Sequence, residues 1–315
     1  MKKITNFDFK NKKVILRLDL NVPIKDEKIL SKEKINSSLK TINYISNSGG
    51  RVIILSHLGK IKELKDKEKN SLFIVYKEML KEFNNIYFSS ATHGTVLEEK
   101  INNLNNGDIL LVENTRFEAL DNKKESSCDE ELSKYWASLG DIFINDAFGM
   151  THRKHASNYG ISKYLPSGIG FLIEKEIKGL EPVINPIHPF VIIMGGAKVN
   201  DKLDIIKGLL PKCDYLLVGG GIANSFLACY SNVGKSLIDE DKIEDLKVLL
   251  SEYKEKIIIP TDVIVDENEN IKNLRIDNLT NDSTIYDIGS ETINNYAKYI
   301  NDAKTIFLNG TMGLY

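Results

Sequence analysis

Short runs of apolar and β-branched residues alternate with helix-length segments along the whole chain. One series of these runs occupies residues 14–18, 52–55, 86–89, 109–112 and 142–144. A second series occupies residues 190–194, 215–218, 257–259 and 305–308. Alternation of this kind is typical of parallel α/β architecture, because each crossover between parallel strands needs room for a helix. The sequence therefore predicts an α/β fold with two doubly wound parallel-sheet domains.

The boundaries of the two domains follow from the segment that separates the two series. With 315 residues, the chain is long enough for two domains of ordinary size. Residues 173–183 (IEKEIKGLEPV) have the charge pattern of an exposed helix, closed by Pro182, Pro186 and Pro189. We predict an N-terminal domain at 1–172, an interdomain helix and linker at 173–189, and a C-terminal domain at 190–315.

Composition excludes several classes of protein. The chain is 42% apolar and 27% charged, as soluble globular chains are, and its net charge of −2 gives no reason to expect nucleic acid as a partner. Its three cysteines form no CxxC pair, which favours a reducing compartment. The N-terminus lacks a signal-peptide pattern, and no run of eighteen apolar residues occurs. We therefore expect a cytoplasmic protein that does not bind membranes.

Polar residues follow the predicted strands of the first domain, where ligands bind in open parallel sheets. They are Asp19, Asn21, His57, Lys60, Asn114, Arg116, Asn145, Asp146, His152, Arg153 and His155. The chain has only five arginines against 37 lysines, and Arg17, Arg116 and Arg153 all lie at these strand ends. Because a guanidinium binds phosphate or carboxylate through two hydrogen bonds, we predict an anion site here rather than scattered surface arginines. His152 and His155 lack a third ligand with suitable spacing, so we predict no metal site.

The stretch at 190–210 (FVIIMGGAKVNDKLDIIKGLL) predicts a buried strand, a glycine turn and a helix. Gly195 and Gly196 would let a phosphate approach the backbone, and Lys198 and Lys202 would share one helical face. The simpler alternative is an ordinary turn with two solvated lysines. The glycine-bearing loops at 219–221, 287–289 and 309–313 would complete a purine nucleotide cleft. Residues 219–224 do not complete a GxGxxG dinucleotide motif, because the sixth position is Asn224.

These motifs together resemble the phosphoglycerate kinase family. The matching motifs, in the family's order, are RLDLNVP, SHLGK, LLVENTRF, NDAFGMTHRKHAS, EKEIKGLE, GGAKVNDK, VGGGIANSFL, PTDV, DIG and NGTMG. The resemblance implies two Rossmann-like domains joined by a hinge helix. It also implies reversible transfer of phosphate between 1,3-bisphosphoglycerate and ADP, which gives 3-phosphoglycerate and ATP. In the family, Mg²⁺ is bound with the ATP or ADP, and domain closure brings the two substrates together.

The resemblance also implies roles for individual residues. Those that would bind the triose are Asp19, Leu20, Asn21, Lys34, His57, Leu58, Gly59, Lys60, Arg116, His152, Arg153 and His155. Those that would bind the nucleotide are Gly196, Ala197, Lys198, Lys202, Gly221, Gly289 and Asn309. Catalysis would depend on Lys198, Lys34 and Arg153, with Lys198 stabilising the phosphoryl group in transfer. Such a reaction needs positioned positive charge and no covalent nucleophile.

The sequence departs from the family pattern at several positions. Lys34 and Lys60 replace arginines, which keeps the charge but loses the two-pronged hydrogen bonding, and Thr311 replaces a proline. The last residue is Tyr315, before the family's GGGD motif. These departures imply an incomplete second domain, weakened nucleotide binding and reduced activity. We also expect a monomer.

Two other functions compete with this prediction. A degenerate family member would bind a phosphorylated ligand or a partner without turnover, and the absence of the GGGD motif favours it. The retained Lys198, Arg116, Arg153 and Asp19 argue against it. A nicotinamide-dependent dehydrogenase would rest on the glycine loops alone, which is fold-level analogy.

Overall fold

A computed structural model describes residues 1–314, which form two compact units. The first unit is Met1–Gly179, and the second begins at Leu180. The division falls within the helix Phe171–Ile184. The predicted domain boundaries at 172 and 189 lie on either side of this point and stay a prediction.

Unit 1 contains eight strands and five complete helices. The strands are β1 (Lys13–Leu18), β2 (Ile24–Lys25), β3 (Lys28–Ile29), β4 (Arg51–Leu55), β5 (Ile86–Ser89), β6 (Ile109–Val112), β7 (Ile142–Asp146) and β8 (Ser167–Ile169). The helices are α1 (Glu33–Asn47), α2 (Lys65–Lys69), α3 (Phe73–Met79), α4 (Thr95–Asn102) and α5 (Glu130–Ser138), and α6 (Phe171–Ile184) continues into unit 2. A single π-helical turn lies at Ala156–Gly160.

Six of these strands form one parallel sheet in the order β5-β6-β4-β1-β7-β8. Successive residues of a strand point to opposite faces, and both faces are covered. On one face, Val14 and Ile54 pack in a core with Ile42 of α1 and Val75 of α3. On the other face, the core includes residues of α4 and α5, among them the fully buried Trp136. The sheet is therefore doubly wound, as the alternating pattern predicts.

Helix α1 shows why these segments become helices. Ile35, Leu39 and Ile42 recur at helical spacing, and they face the sheet. The helix ends at Asn47, and Gly49 follows with a φ of 78°, the left-handed conformation that commonly ends helices. This geometry fixes Lys34 in the first turn of α1, near the loop that follows β1.

Unit 2 contains seven strands and four complete helices. The strands are β9 (Phe190–Met194), β10 (Tyr215–Val218), β11 (Ile257–Ile258), β12 (Asp262–Glu267), β13 (Asn270–Arg275), β14 (Thr284–Ile288) and β15 (Thr305–Asn309). The helices are α7 (Leu203–Leu209), α8 (Gly220–Leu227), α9 (Ile243–Glu252) and α10 (Ser290–Asp302).

A four-stranded parallel sheet, β11-β10-β9-β15, forms the centre of unit 2. Ile192 and Leu216 face a core that includes Phe226 of α8 and Leu246 of α9. The opposite face packs on Tyr296 of α10. This unit is also doubly wound, so the prediction of two such domains is confirmed.

A separate antiparallel sheet, β13-β12-β14, was not predicted. Strand β13 is mostly polar and exposed, so it lacks the apolar pattern that reveals a strand. Its hairpin turn uses Asn268 and Glu269 at φ values of 54° and 66°, without the usual glycine. The sequence around this turn therefore carries only a weak hairpin signal.

The helix predicted over residues 173–183 is present, and of the three prolines predicted to close it, Pro186 and Pro189 lie beyond its end and only Pro182 does not. Helix α6 runs from Phe171 to Ile184, and Pro182 lies inside its last turn. The φ of proline suits a helix, and near the end of an exposed helix it removes a single backbone hydrogen bond. Within residues 1–314 no helix is both long and apolar enough to cross a membrane.

Candidate functional site

A basic cavity of about 460 Å³ lies in unit 1, where loops leave the carboxyl ends of β4, β6 and β7. Six of the side chains that line it are basic: Lys60, Lys62, Arg116, Lys123, Arg153 and His155. Glu125 contributes a carboxylate to the same wall. The structure thus brings four of the predicted triose-binding residues to one cavity with an excess of positive charge.

Asp19 and Asn21 connect the loop after β1 to neighbouring elements. Asp19 Oδ1 accepts a hydrogen bond from the backbone N–H of Asn21 at 3.1 Å, and Asn21 Oδ1 accepts one from the N–H of Gly59 at 2.9 Å. Asp19 Oδ2 also forms an ion pair with Lys34 Nζ at 2.8 Å. The predicted catalytic Lys34 is therefore held by a carboxylate that we also predicted as a triose ligand.

Leu20 and Leu58, unlike the polar residues of their motifs, turn their side chains into the core. Both side chains belong to the core of unit 1 and are 0% and 2% exposed. Only their backbone groups can therefore contact a ligand. The carbonyl of Leu58 already accepts a hydrogen bond from Asn114 Nδ2 at 2.7 Å, so Leu58 helps to fix the loop.

His57 is held by a buried arginine. Arg17 is fully buried, and its Nη2 lies 3.2 Å from Nδ1 of His57. Burial and the positive charge of Arg17, with smaller contributions from Arg116 and Lys34, lower the pKa of His57 to about 2. His57 is therefore neutral at physiological pH, and the positive charge of this region comes from arginine and lysine.

Arg116 is oriented by the loop that carries it. Its backbone N–H donates to Asn114 Oδ1 at 3.0 Å, and its Nη1 donates to the carbonyl of Gly59. Burial and the nearby charge of Arg153 lower the pKa of Arg116, although a guanidinium keeps its proton in proteins. Two guanidinium groups that repel each other at one cavity form a favourable place for an anion.

The two histidines of the THRKH segment do not converge. His152 is exposed, and its Nε2 accepts a hydrogen bond from Arg153 Nε at 3.1 Å. His155 is 6% exposed, and its backbone N–H is bound by the side chain of Asn158 at the start of the π-helical turn. Among the described residues no group of three or more histidine, cysteine, aspartate or glutamate side chains could hold a metal ion.

In unit 2, the glycine-bearing loops that follow β9, β10 and β15 contact one another. The N–H of Gly195 donates to the carbonyl of Asn309 at 3.0 Å, and the N–H of Gly220 donates to the carbonyl of Met312 at 2.6 Å. The N–H of Ile222 donates to the carbonyl of Gly196 at 3.3 Å. The predicted clustering of these loops is therefore present.

Two of these glycines are required for the close approach of the loops themselves. A Cβ at Gly195 would overlap the backbone carbonyl of Thr311, and a Cβ at Gly221 would overlap that of Ala197. Gly196 differs from these two glycines, because no atom of another loop lies near its Cβ position. Its backbone φ of 124° is nevertheless a conformation that residues with side chains rarely adopt. Gly196 therefore presents open backbone to a ligand.

The prediction that Lys198 and Lys202 share a helical face is wrong. Helix α7 begins only at Leu203, with Lys202 as its N-cap, and Lys198 is an exposed residue of the preceding loop. Val199 is fully buried and anchors this loop, and the N–H of Asn200 donates to Asp239 Oδ2 at 3.0 Å. These contacts, with turn-forming residues at 200 and 201, delay the helix.

Lys202 and Asn309 meet directly, because Lys202 Nζ donates to Asn309 Oδ1. Gly289, by contrast, is buried at the start of α10, where its N–H donates to the carbonyl of Asp262 at 2.8 Å. The Asp262 carboxylate accepts from the N–H groups of Glu291 and Thr292 at 3.0 and 2.7 Å and so caps α10. Gly289 thus packs beneath a helix start, and its Cβ position is filled by Asp262.

The sequence grouped Arg17 with Arg116 and Arg153 in an anion site, but Arg17 is fully buried in β1 and bonds Ser157 and His57 instead of lining the cavity. Other residues of the basic region were not assigned from the sequence. Lys123 and Glu125 lie in a polar segment (DNKKESSCDEE) without periodicity, so no pattern pointed to the cavity. Ser157 follows the histidine pair and gave no signal either.

Comparison with protein families gives one match over nearly the whole chain. The model described as "Phosphoglycerate kinase" matches residues 4–315. The chain is 46% identical over 327 residues to the phosphoglycerate kinase of Fusobacterium nucleatum, an alignment that covers all of this chain and 82% of that protein. It is also 46% identical over 321 residues to the phosphoglycerate kinase of Listeria innocua, with coverage of 100% and 81%.

Solved structures agree with these sequence relatives. The structure of phosphoglycerate kinase from Coxiella burnetii is similar with a TM-score of 0.86 and 35% identity, over 99% of this chain and 80% of that one. The structure of phosphoglycerate kinase from Pyrococcus horikoshii is similar with a TM-score of 0.81 and 30% identity, over 99% of this chain and 81% of that one.

Proposed function

The chain belongs to the phosphoglycerate kinase family, and from that premise we propose that it transfers phosphate reversibly between 1,3-bisphosphoglycerate and ADP. The products in that direction are 3-phosphoglycerate and ATP. The observation that carries the proposal beyond family membership is the basic cavity of unit 1. It gathers arginines and lysines at the strand ends, although the whole chain has a net charge of −2.

The triose belongs in this cavity because of its charge and size. Phosphate and carboxylate groups are best held by guanidinium and ammonium donors, and Arg116, Arg153 and Lys60 supply them. Asp19 and Asn21 lie on the loop after β1, where a carboxylate and an amide can bind the hydroxyl of the triose. A cavity of about 460 Å³ has room for a three-carbon phosphate ester with water.

The nucleotide belongs on the glycine-bearing loops of unit 2. Gly196 presents open backbone, Ala197 and Lys198 are exposed beside it, and Lys202 is held near Asn309. Backbone N–H groups and lysine side chains are common phosphate ligands. Gly221 supports this loop through its close contact with Ala197, and Gly289 supports the neighbouring helix start rather than a ligand.

Lys198 is the residue we assign to the transition state. Phosphoryl transfer passes through a state whose negative charge spreads over the equatorial oxygens, so positioned cations accelerate it. Lys198 lies on an exposed loop, where its ammonium group can approach a phosphoryl group. Mg²⁺ would be bound with the phosphates of the nucleotide, where it neutralises charge on them. No covalent enzyme intermediate is required.

Neither the relatives nor the site favours the non-catalytic alternative, since every relative named above is a phosphoglycerate kinase. We further propose that the enzyme acts as a cytoplasmic monomer without nucleic acid or membrane partners. The non-catalytic alternative predicts binding of a phosphorylated ligand with no turnover.

Calorimetric titration tests the assignment of the triose. We expect 3-phosphoglycerate to bind the parent chain and Arg116→Met to lose at least tenfold in affinity, about the value of one charge-assisted hydrogen bond. Mg-ADP affinity should not change. Arg275→Met is the matched control, because Arg275 lies on β13 of unit 2, where it pairs with Glu291 of α10. Equal triose binding by Arg116→Met and the parent would refute the assignment.

A further inference from the structure

A continuous chain of buried hydrogen bonds connects Glu125 to His57. Ser157 Oγ lies 2.6 Å from Glu125 Oε1, and the backbone N–H of Ser157 donates to Glu125 Oε2 at 3.1 Å. Arg17 Nε lies 2.8 Å from the same Ser157 hydroxyl, and Arg17 Nη2 lies 3.2 Å from His57 Nδ1. All four residues are at least 97% buried, so water does not compete for these bonds.

The direction of every bond in this chain is determined by its members. Arginine is only a donor and a carboxylate is only an acceptor, so Ser157 accepts from Arg17 and donates its single hydroxyl proton to Glu125. His57 Nδ1 likewise accepts from Arg17 Nη2. Because burial keeps this imidazole neutral, its one proton must lie on Nε2.

His57 Nε2 faces away from this network. It makes no hydrogen bond to any residue in 1–314, and it is not among the enclosed polar atoms that lack a partner. It therefore retains contact with solvent. After Arg17, the positive charges that act most strongly on His57 are those of Arg116 and Lys34, so an anion drawn to these cations would meet the Nε2–H donor.

We propose that Glu125 and Ser157 are positioning residues that act through Arg17 to fix His57 as a neutral Nε2–H donor for the triose. Glu125 compensates the buried charge of Arg17, and Ser157 sets the plane of its guanidinium. A fixed donor binds an anion at a lower entropic cost than a ring free to change tautomer or rotamer. This inference rests on the proposed function, since it takes the triose as the anion.

Imidazole ¹⁵N NMR tests the tautomer in the parent chain. The protein has five histidines, so His57 can be assigned by comparison with a His57→Gln variant. At pH 7 we expect a neutral ring with the proton on Nε2 and unprotonated Nδ1, and a change of the Nε2–H signal when 3-phosphoglycerate is added. A ring protonated on Nδ1, or on both nitrogens, would overturn the proposal without any variant.

Kinetics of variants test the positioning role. Ser157→Ala and Glu125→Gln should mix the His57 tautomers and raise the KM for 3-phosphoglycerate by about tenfold, as for one lost hydrogen bond to a charged group. The KM for Mg-ATP should not change. Ser157→Thr keeps the hydroxyl, so it should show the parent's His57 tautomer and the parent's KM for 3-phosphoglycerate. Ser127→Ala and Glu131→Gln are matched controls at exposed positions close in sequence.

The outcomes separate this inference from the proposed function. Unchanged His57 signals and an unchanged triose KM in Ser157→Ala would overturn the positioning role while the kinase function stands. If the parent chain neither binds nor converts 3-phosphoglycerate, the proposed function fails, and the link to the triose fails with it.

Discussion

At the scale of single residues, the basic cavity depends on which groups keep their charge. Burial beside Arg17 keeps His57 neutral, whereas Arg116 remains a cation. Lys34 is paired with Asp19 at 2.8 Å, so its ammonium group is already partly satisfied before a substrate arrives. Family motifs predicted most of these positions, but not their pairing.

The first prediction concerns Lys198. If it stabilises charge that develops only during transfer, Lys198→Ala should lower kcat by about 100-fold or more and change the two KM values little. Lys254→Ala, at an exposed position in unit 2, is the control and should behave as the parent. Steady-state kinetics provide the measurement. A large rise in the KM for nucleotide with kcat unchanged would show that Lys198 only binds.

Lys34→Arg addresses the departure at the start of α1. A guanidinium can pair with Asp19 through one nitrogen and still donate to the substrate through another, so we expect a higher kcat and an equal or lower triose KM. Lys40→Arg is the control for the effect of a lysine-to-arginine change on α1 itself, because Lys40 is on the same helix but lies over the ring of Phe171. A lower kcat in Lys34→Arg would mean that the surrounding packing is fitted to lysine.

At the scale of elements, the loops of unit 2 are held by backbone contacts that tolerate no side chain. Gly195 packs on the carbonyl of Thr311, and Gly310, with a φ of 92°, packs on the carbonyl of Gly195. The glycines that suggested a phosphate site therefore serve loop packing as well. Sequence reasoning could not separate these two roles, because both need the same residue.

A pair of glycine substitutions tests this account. Gly195→Ala forces a Cβ into the Thr311 backbone, so it should lower stability by about 1–3 kcal/mol and weaken Mg-ADP binding. Gly208→Ala lies inside α7 with no atom within 4 Å of the new Cβ, so it should raise stability by about 0.5–1 kcal/mol. Urea denaturation and calorimetry provide the two measurements. Equal effects of the two substitutions would contradict the packing role of Gly195.

Strands were predicted more accurately than the loops that follow them. The apolar run at 14–18 corresponds to β1 and that at 190–194 to β9, because buried strands need continuous apolar residues. The start of α7 was misplaced, because Val199 enters the core from a loop and breaks the expected helical spacing. Strand β8 (Ser167–Ile169) was missed, since three residues including a glycine give no pattern.

At the scale of the whole molecule, stability should depend on pH through His57. Its pKa falls from an ordinary 6.5 to about 2 on folding, so the unfolded chain binds a proton that the folded chain rejects between these values. The neutral His57 therefore causes no loss of stability above pH 6.5. As pH decreases from 6.5 to 5, protonation of the unfolded chain lowers the free energy of unfolding by about 2 kcal/mol. His57→Gln should lose less stability over this range in urea denaturation. The same pH dependence in both chains would exclude His57 as its source.

The fold of the whole chain was predictable from two levels of information. Alternating apolar runs predicted two doubly wound sheets, and the ordered motifs predicted the family, which a match over residues 4–315 confirms. The antiparallel sheet β12–β14 and the network from Glu125 to His57 were not predictable. The sheet includes β13, whose exposed polar residues lack the apolar pattern of a strand. The network depends on contacts between polar residues distant in sequence, for which periodicity gives no signal.

Turnover tests the central claim most directly. The purified 315-residue chain would be supplied with 3-phosphoglycerate and Mg-ATP, and the 1,3-bisphosphoglycerate formed would be measured through a coupled dehydrogenase. We predict turnover that depends on both substrates, with a KM for 3-phosphoglycerate at least tenfold higher in Arg116→Met and unchanged in Arg275→Met. Binding of both substrates with no turnover in any variant would contradict the account and favour a non-catalytic family member.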